Sequence, residues 1–313
     1  MTITQLQYVL AVAEYKNFTL AAEKSFVTQP TLSMQVQKLE EELDVIIFDR
    51  AKKPLTITGI GEKILAQAKI IVSEAARIKD IVEQDKDFVG GAFSLGIIPT
   101  IMPTLLPMFL KTFVKKYPDV QLIIKELSTD QLIESLKEGS LDAAIAATPL
   151  EQTDLVERPL YYEPFVGYVP KSHRLATETA LAVEDIDLSE VLLLSDGHCF
   201  RDGIINLCQA SKKNKVDHFQ LQSGSFETLV NLADEGMGMT LLPYLNTLAL
   251  DSEKSKALKH FKVPSPAREV SIIYHQRALK IQITEALQEV IASVVRGAIA
   301  FQDIKIISPL SNS

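Results

Sequence analysis

The sequence predicts a mixed α/β protein with an N-terminal winged helix-turn-helix (residues 1–58), a linker helix (59–89) and a two-lobed α/β body (90–313). Three observations carry that prediction. Helical periodicity followed by a basic turn fills the head, a single amphipathic stretch follows it, and beyond residue 90 short apolar runs alternate with helical segments. The length of 313 residues fits about two folding units at ~100–200 residues each. Hydrophobic residues make up 47% and charged residues 23%, the balance of a globular chain rather than a disordered one.

In the head, Leu6, Val9, Leu10 and Ala13 recur at helical spacing until Asn17 interrupts them. A short alanine-rich helix is expected from Thr19, as its N-cap, to Ser25. Thr28 then caps a third helix with Pro30 in its first turn, where a missing N–H costs nothing. Leu32, Val36 and Leu39 share the inner face of that helix. Thr28, Gln29, Thr31, Ser33, Met34 and Lys38 are left outward beside Pro30, and amide and hydroxyl side chains at a helix start suit base edges in a major groove. Arg50, Lys52 and Lys53 sit on a turn between Val45–Phe48 and Leu55–Thr58, a wing suited to phosphates.

From Gly61 to about Phe88, one stripe carries Ile64, Leu65, Ala68, Ile71, Val72, Ala75, Ile78 and Val82. A helix of that length needs a partner for its apolar face, most simply the same helix of a second subunit. A two-fold dimer would read a roughly palindromic site. Gly90-Gly91 ends the stretch.

In the body, strands are expected at 92–98, 120–127 and 141–146, with helices at 101–117 and 128–138 between them, the βαβ pattern of a parallel sheet. Further strands at 165–169, 191–194, 218–222 and 239–242 imply a second lobe. A strand near 268–274 and a helix from about 279 to 301 close the chain. Lobe I would then be 90–163 with 268–313, lobe II 164–267, the chain crossing twice beside a cleft as in periplasmic binding proteins. Thr100 and Thr129 follow strand ends, where ligands bind in such sheets. Residues 308–313 read as a frayed tail.

The two cysteines, Cys199 and Cys208, are either small core hydrophobes or one redox pair. His198, Arg201 and a turn at Gly197 all favour a thiolate at Cys199. A helix between the cysteines would separate them by about 13 Å and turn them to opposite faces, whereas a disulfide needs Cα atoms within ~7 Å. Joining them would require that helix to break, so oxidation would act as a conformational switch.

The run Phe18-Thr19-Leu20-Ala21-Ala22, then Val27-Thr28-Gln29-Pro30-Thr31-Leu32-Ser33 and Lys38-Leu39-Glu40, resembles the LysR-type bacterial transcription regulators. The likeness continues through Leu95-Gly96-Ile97-Ile98-Pro99-Thr100 and Gly236-Met237-Gly238-Met239-Thr240-Leu241-Leu242-Pro243. Asp196-Gly197-His198-Cys199 with Arg201-Asp202, Cys208 and His218-Phe219 is similar to the peroxide-sensing OxyR branch of that family. The resemblance implies that Cys199 is the peroxidatic and Cys208 the resolving thiol, with Thr100, Thr129, His198, Arg201, Asp202 and His218 shaping the peroxide pocket or steadying the reduced loop. It also implies a double-stranded DNA operator, a homodimer or homotetramer, contact with RNA polymerase when oxidised, and re-reduction by glutaredoxin- or thioredoxin-type thiols. His275, where relatives often carry Arg, departs from the pattern.

Two other readings remain on sequence grounds: a LysR-type regulator of a small organic metabolite with incidental cysteines, and a thiol peroxidase, which would have no use for the DNA-reading head. The five histidines lack metal-ligand spacing and no Gly-rich phosphate loop is present, so neither a cofactor nor a metal is expected. No apolar run approaches the ~18 residues of a membrane span, and the N-terminus lacks a secretory signal pattern, so a cytoplasmic location away from membranes is expected. The net charge of −8 argues against polyanion binding through the whole field of the protein, though not against a local contact.

Overall fold

The computed structural model describes residues 1–52, 54–84, 89–208, 224–299 and 304–309, without side-chain placement at 79, 80, 82–84 and 304. It divides into two compact units, residues 1–88 with 137–140, and residues 89–136 with 141–313.

The head packs α1 (Ile3–Tyr15), α2 (Phe18–Lys24) and α3 (Gln29–Leu43) around Leu6, Val9, Val12, Leu32, Val36 and Leu39. A capping box closes the start of α1: Thr2 Oγ1 accepts from the Gln5 N–H and Gln5 Oε1 accepts from the Thr2 N–H. Helix α2 begins at Phe18 rather than after Thr19, because the Asn17 side-chain carbonyl caps it by accepting from the N–H groups of Thr19 and Leu20. The two-residue strands β1 (Phe48–Asp49) and β2 (Thr56–Ile57) pair antiparallel as the wing. Glu40 on α3 anchors it, one carboxylate oxygen accepting from the N–H groups of Ile47 and Phe48 at 2.8 and 3.1 Å. Helix α4 (Gly59–Gln84) buries Leu65 and Ala68 in the same core and leaves Ile70, Ile78 and Ile81 exposed. Its 26 residues span about 39 Å.

The body is built on β3 (Gly91–Ile97), β4 (Val120–Glu126), β5 (Ala143–Thr148), β6 (Leu155–Tyr168), β7 (Thr240–Pro243), β8 (Leu258–His260), β9 (Ser265–His275) and β10 (Ile304–Ile306). Its helices are α5 (Met102–Lys116), α6 (Thr129–Lys137), α7 (Cys199–Leu207), α8 (Phe226–Asp234), α9 (Tyr244–Thr247) and α10 (Ile281–Arg296). Strands run in the order β4-β3-β5-β9-β6-β7, with β10 on β9 and β8 on β6. The sheet is mixed, not all parallel: β3 pairs parallel with β4 and β5, whereas β9 runs antiparallel to β5 and β6.

Long strands β6 and β9 carry the chain between the lobes. They pair from Leu155↔His275 to Pro164↔Ala267, with a register shift between Pro159 and Tyr161 where proline lacks a ladder donor. On one side lies a core of Phe93, Leu95, Ile97, Phe109, Ile145 and Leu287, on the other a core of Phe165, Tyr168, Phe200, Leu229 and Leu241.

Four details differ from the sequence expectation. The stretch 191–194 makes a single bridge, Val191↔Met239, instead of a strand. The strand expected at 165–169 is the far end of β6, which starts ten residues earlier. The closing helix stops at Arg296. Assigned by sequence to lobe I, the last described segment instead places β10 on the Ser265–Ala267 end of β9, with Ile307 against the second core. The strand expected at 218–222, and residues 310–313 of the expected tail, lie outside the described residues.

Candidate functional site

Cys199 is the first residue of α7, with His198 at the N-cap and Gly197 turning the chain at φ +86°. Its side chain joins the first lobe's core, while Phe200, Ile204 and Cys208 of the same helix belong to the second lobe's core. Phe200 anchors that side edge-on to Phe165 and Phe226, ring centres 5.0 and 5.1 Å apart. The helix runs unbroken to Cys208, whose N–H donates to the Ile204 carbonyl at 3.0 Å. Both thiols are free and buried, and nine residues of helical rise put about 13 Å between their backbones.

Three groups face the Cys199 sulfur with positive polarity: the Arg268 guanidinium, the Thr129 hydroxyl and the Ala147 backbone N–H. Burial outweighs them and pushes the thiol up from its ordinary value, and the Asp202 carboxylate adds to that rise. The sequence-based expectation of a thiolate favoured by His198 and Arg201 is therefore corrected: burial dominates, and the cation beside the sulfur is Arg268. Among the described residues no cation or donor offsets burial at Cys208, which burial pushes up to about 11.

Arg268 is held rigidly. It is only 3% exposed, and its cross-strand neighbour Glu163, fully buried, accepts from Nε and Nη2 at 2.9 and 2.7 Å. Nη1 donates to Thr100 Oγ1 at 3.1 Å and Nη2 to the Thr100 carbonyl at 3.2 Å. The guanidinium also lies 5.3 Å from the Phe200 ring centre. The other Glu163 oxygen accepts from the Leu245 N–H at 2.9 Å. Thr100, Glu163 and Arg268 thus form one buried polar network beside the thiol.

His198, Arg201 and Asp202 flank Cys199 at the start of α7. Arg201 donates to the Leu194 carbonyl at 3.0 Å and pairs with Asp196 at 3.0 Å, fastening the loop before α7 to its first turn. Burial raises the Asp202 carboxyl; Arg201 lowers it, and Asp196 and Asp130 raise it further. His198 is lowered by burial, against the pull of Asp202 and Glu126. His218 and Lys53 lie outside the described residues. Sequence reasoning missed Arg268 and Glu163. The available signal was a charge set among apolar residues in each of two strand runs, Glu163 before Pro164-Phe165-Val166 and Arg268-Glu269 before Val270-Ser271-Ile272, since such residues are rarely buried unless paired.

At the head, Thr28, Gln29, Pro30, Thr31, Met34 and Lys38 are exposed along the start and outer face of α3. Thr28 and Thr31 share a hydroxyl contact of 2.8 Å. Arg50 donates to Ser33 Oγ at 3.0 Å and to Glu40 at 3.2 Å, and lies 4.7 Å from the Phe18 ring centre. It ties the wing to α3. Lys52 pairs with Asp49 at 3.6 Å. Among the described residues no cluster of His, Cys, Asp or Glu could hold a metal ion, and no helix is long and apolar enough to cross a membrane.

Residues 3–62 match the model of the bacterial regulatory helix-turn-helix protein, lysR family, and residues 86–296 that of the LysR substrate binding domain. The chain is 32% identical over 301 residues to the hydrogen peroxide-inducible genes activator of Haemophilus influenzae, covering 95% of this chain and 99% of the relative. Among solved structures it resembles a full-length OxyR variant from Pseudomonas aeruginosa, with a TM-score of 0.74, 33% identity, and coverage of 93% of this chain and 98% of that one. It also resembles a hydrogen peroxide-bound OxyR mutant from Corynebacterium glutamicum, with a TM-score of 0.64, 28% identity, and coverage of 97% and 98%. With both halves matched and the likeness running nearly end to end, the chain belongs to the LysR family of DNA-binding transcription regulators, in its OxyR branch, and not to the enzymes.

Proposed function

We propose that the chain is a hydrogen peroxide sensor that activates transcription through a reversible Cys199–Cys208 disulfide. One observation carries the reading: α7 places one thiol among donors and a buried cation in the first lobe, and the second thiol in the other lobe's core. Peroxide entering beside Cys199 finds the Thr129 hydroxyl and the Thr100 network as hydrogen-bonding partners. The thiolate attacks one peroxide oxygen, the O–O bond breaks, and hydroxide leaves and takes up a proton as water. The product sulfenic acid reacts with the Cys208 thiol to give the disulfide and a second water. Because the helix between them holds the sulfurs apart, closure requires α7 to unwind and Phe200 to leave its aromatic neighbours. The two cores then repack, and that rearrangement transmits the signal. Cellular dithiols of glutaredoxin or thioredoxin type reverse it by thiol–disulfide exchange.

In this reading α3 enters the operator's major groove through Thr28, Gln29, Pro30, Thr31, Ser33, Met34 and Lys38, with Arg50, Lys52 and Lys53 at the wing. The exposed isoleucines of α4 pair two subunits, dimers associate into a tetramer, and the oxidised form contacts RNA polymerase in the cytoplasm. The test is Cys199→Ser in the full chain. The variant is expected to bind operator DNA as the reduced protein does and to ignore peroxide. A peroxide response that survives the substitution contradicts the reading and moves the search to a small organic effector in the cleft.

A further inference from the structure

Phe26 is 95% exposed, the most exposed of the large hydrophobic residues of the head, and its φ is +55°. Both facts follow from its place in the turn between α2 and α3. The Phe26 N–H donates to the Glu23 carbonyl at 3.1 Å and the Val27 N–H to the Ala22 carbonyl at 3.0 Å. These two bonds form the helix-ending Schellman turn, whose left-handed residue is ordinarily glycine or asparagine. A bulky aromatic there is a conformational outlier. Val27 supplies the turn's apolar contact by packing into the head core. Phe26 therefore adds nothing to the fold: its backbone would be better served by glycine, and its ring touches water.

Strain at a position that folding does not require points to function. The ring stands two residues before Thr28, the N-cap of α3, and Gln29 and Thr31 in the first turn of that helix are exposed as it is. The head's cations are partly spent: Arg50 is tied to Ser33 and Glu40, and Lys52 to Asp49. Apolar contact is the complementary way to hold a groove, and thymine C5-methyl groups are its apolar feature.

From this we infer that Phe26 is an apolar DNA-contact residue that packs on a thymine methyl, or the adjoining deoxyribose edge, at the border of the groove entered by α3. The inference rests on α3 being the helix that reads the operator.

The test uses the full-length chain and a duplex that the wild-type protein selects from a random-sequence library. Phe26→Gly and Phe26→Asn are expected to raise the head's thermal stability, because they relieve the left-handed conformation, while weakening DNA binding about tenfold. A substitution that merely damaged the head would move both in the same direction. Replacing thymines singly with uracil separates the two sources of the contact. One position whose loss weakens the wild type but not Phe26→Gly identifies a methyl; a tenfold loss coupled to no uracil position identifies the sugar edge. Gln29→Ala serves as control. Wild-type affinity in Phe26→Gly with weakened binding in Gln29→Ala overturns the inference and leaves α3 as the reading helix. Wild-type affinity in both overturns the reading of α3 as well. A loss of affinity in Phe26→Gly that accompanies dissociation into monomers also overturns it, by making the ring a contact between copies of the chain.

Discussion

Replacing Arg268 by methionine separates what the buried ion pair does for stability from what it does for the thiol. The side chain is 3% exposed and Glu163 is fully buried, so the substitution strands a carboxylate whose only remaining donor among the described residues is the Leu245 N–H. Breaking a buried pair from one side costs about 3–5 kcal/mol. At roughly 2–4 °C per kcal/mol for a unit of this size, the body's melting temperature is expected to fall by about 10 °C. Adding Glu163→Gln removes the stranded charge and restores about half of that loss. The thiol follows a different course. Without the guanidinium, no cation among the described residues opposes the burial that already raises Cys199. Losing that opposite charge raises the thiol further, so the peroxide oxidation rate at pH 7.5 is expected to fall about tenfold or more in the single and the double variant alike. Circular dichroism melts and timed alkylation of Cys199 after peroxide give the two readouts. Oxidation of the double variant at the wild-type rate would contradict the role of Arg268 at the thiol, and a single variant melting within about 2 °C of wild type would contradict its role in stability.

Alkaline pH provides an independent check on the second thiol. Burial raises Cys208 from 9.0 to about 11, so the folded chain keeps its proton to higher pH than the unfolded chain does. The stability this contributes is whole below pH 9 and is lost as pH climbs through 11, roughly 3 kcal/mol in all, of which about 2 kcal/mol goes between pH 9 and 11. Reduced wild type is therefore expected to lose that much more stability than Cys208→Ala between pH 9 and 11 in urea titrations; parallel curves would contradict the burial. In the head, Glu40→Ala frees the Ile47 and Phe48 N–H groups and releases Arg50. We expect a loss of about 1–3 kcal/mol and weaker operator binding with α3 still folded, measured by hydrogen exchange and fluorescence anisotropy. An unchanged wing exchange rate would show that Glu40 does not anchor it.

Local chemistry was legible in the sequence where neighbours in the chain decide the outcome. Leu32, Val36 and Leu39 fall on one buried face of α3, as their spacing predicts, and the alternation beyond residue 90 announces β3, α5, β4, α6 and β5 within one or two residues. What depends on distant pairing was not legible. Strand β6 crosses both lobes because it pairs with β9 more than a hundred residues later, and no local pattern announces that its Leu155 half is a strand. The same separation hid Arg268 and Glu163, whose partnership exists only in the β6–β9 register. His198 and Arg201 adjoin Cys199 in sequence, which suggested thiolate activation. Helix geometry sends the Arg201 side chain back to Leu194 and Asp196 instead. The separation of the cysteines along α7 was readable as soon as a helix was assumed; that their side chains enter different cores was not.

In the proposed mechanism peroxide joins Cys199 to Cys208, and α7 must give way for this to happen. The most direct measurement is mass mapping of alkylated thiols in the full chain after a brief, near-stoichiometric peroxide pulse, with operator footprinting on the same samples. A Cys199–Cys208 disulfide is expected within seconds, with an altered footprint that reverts on reduction. Two thiols that still alkylate after the pulse, with an unchanged footprint, would contradict the mechanism.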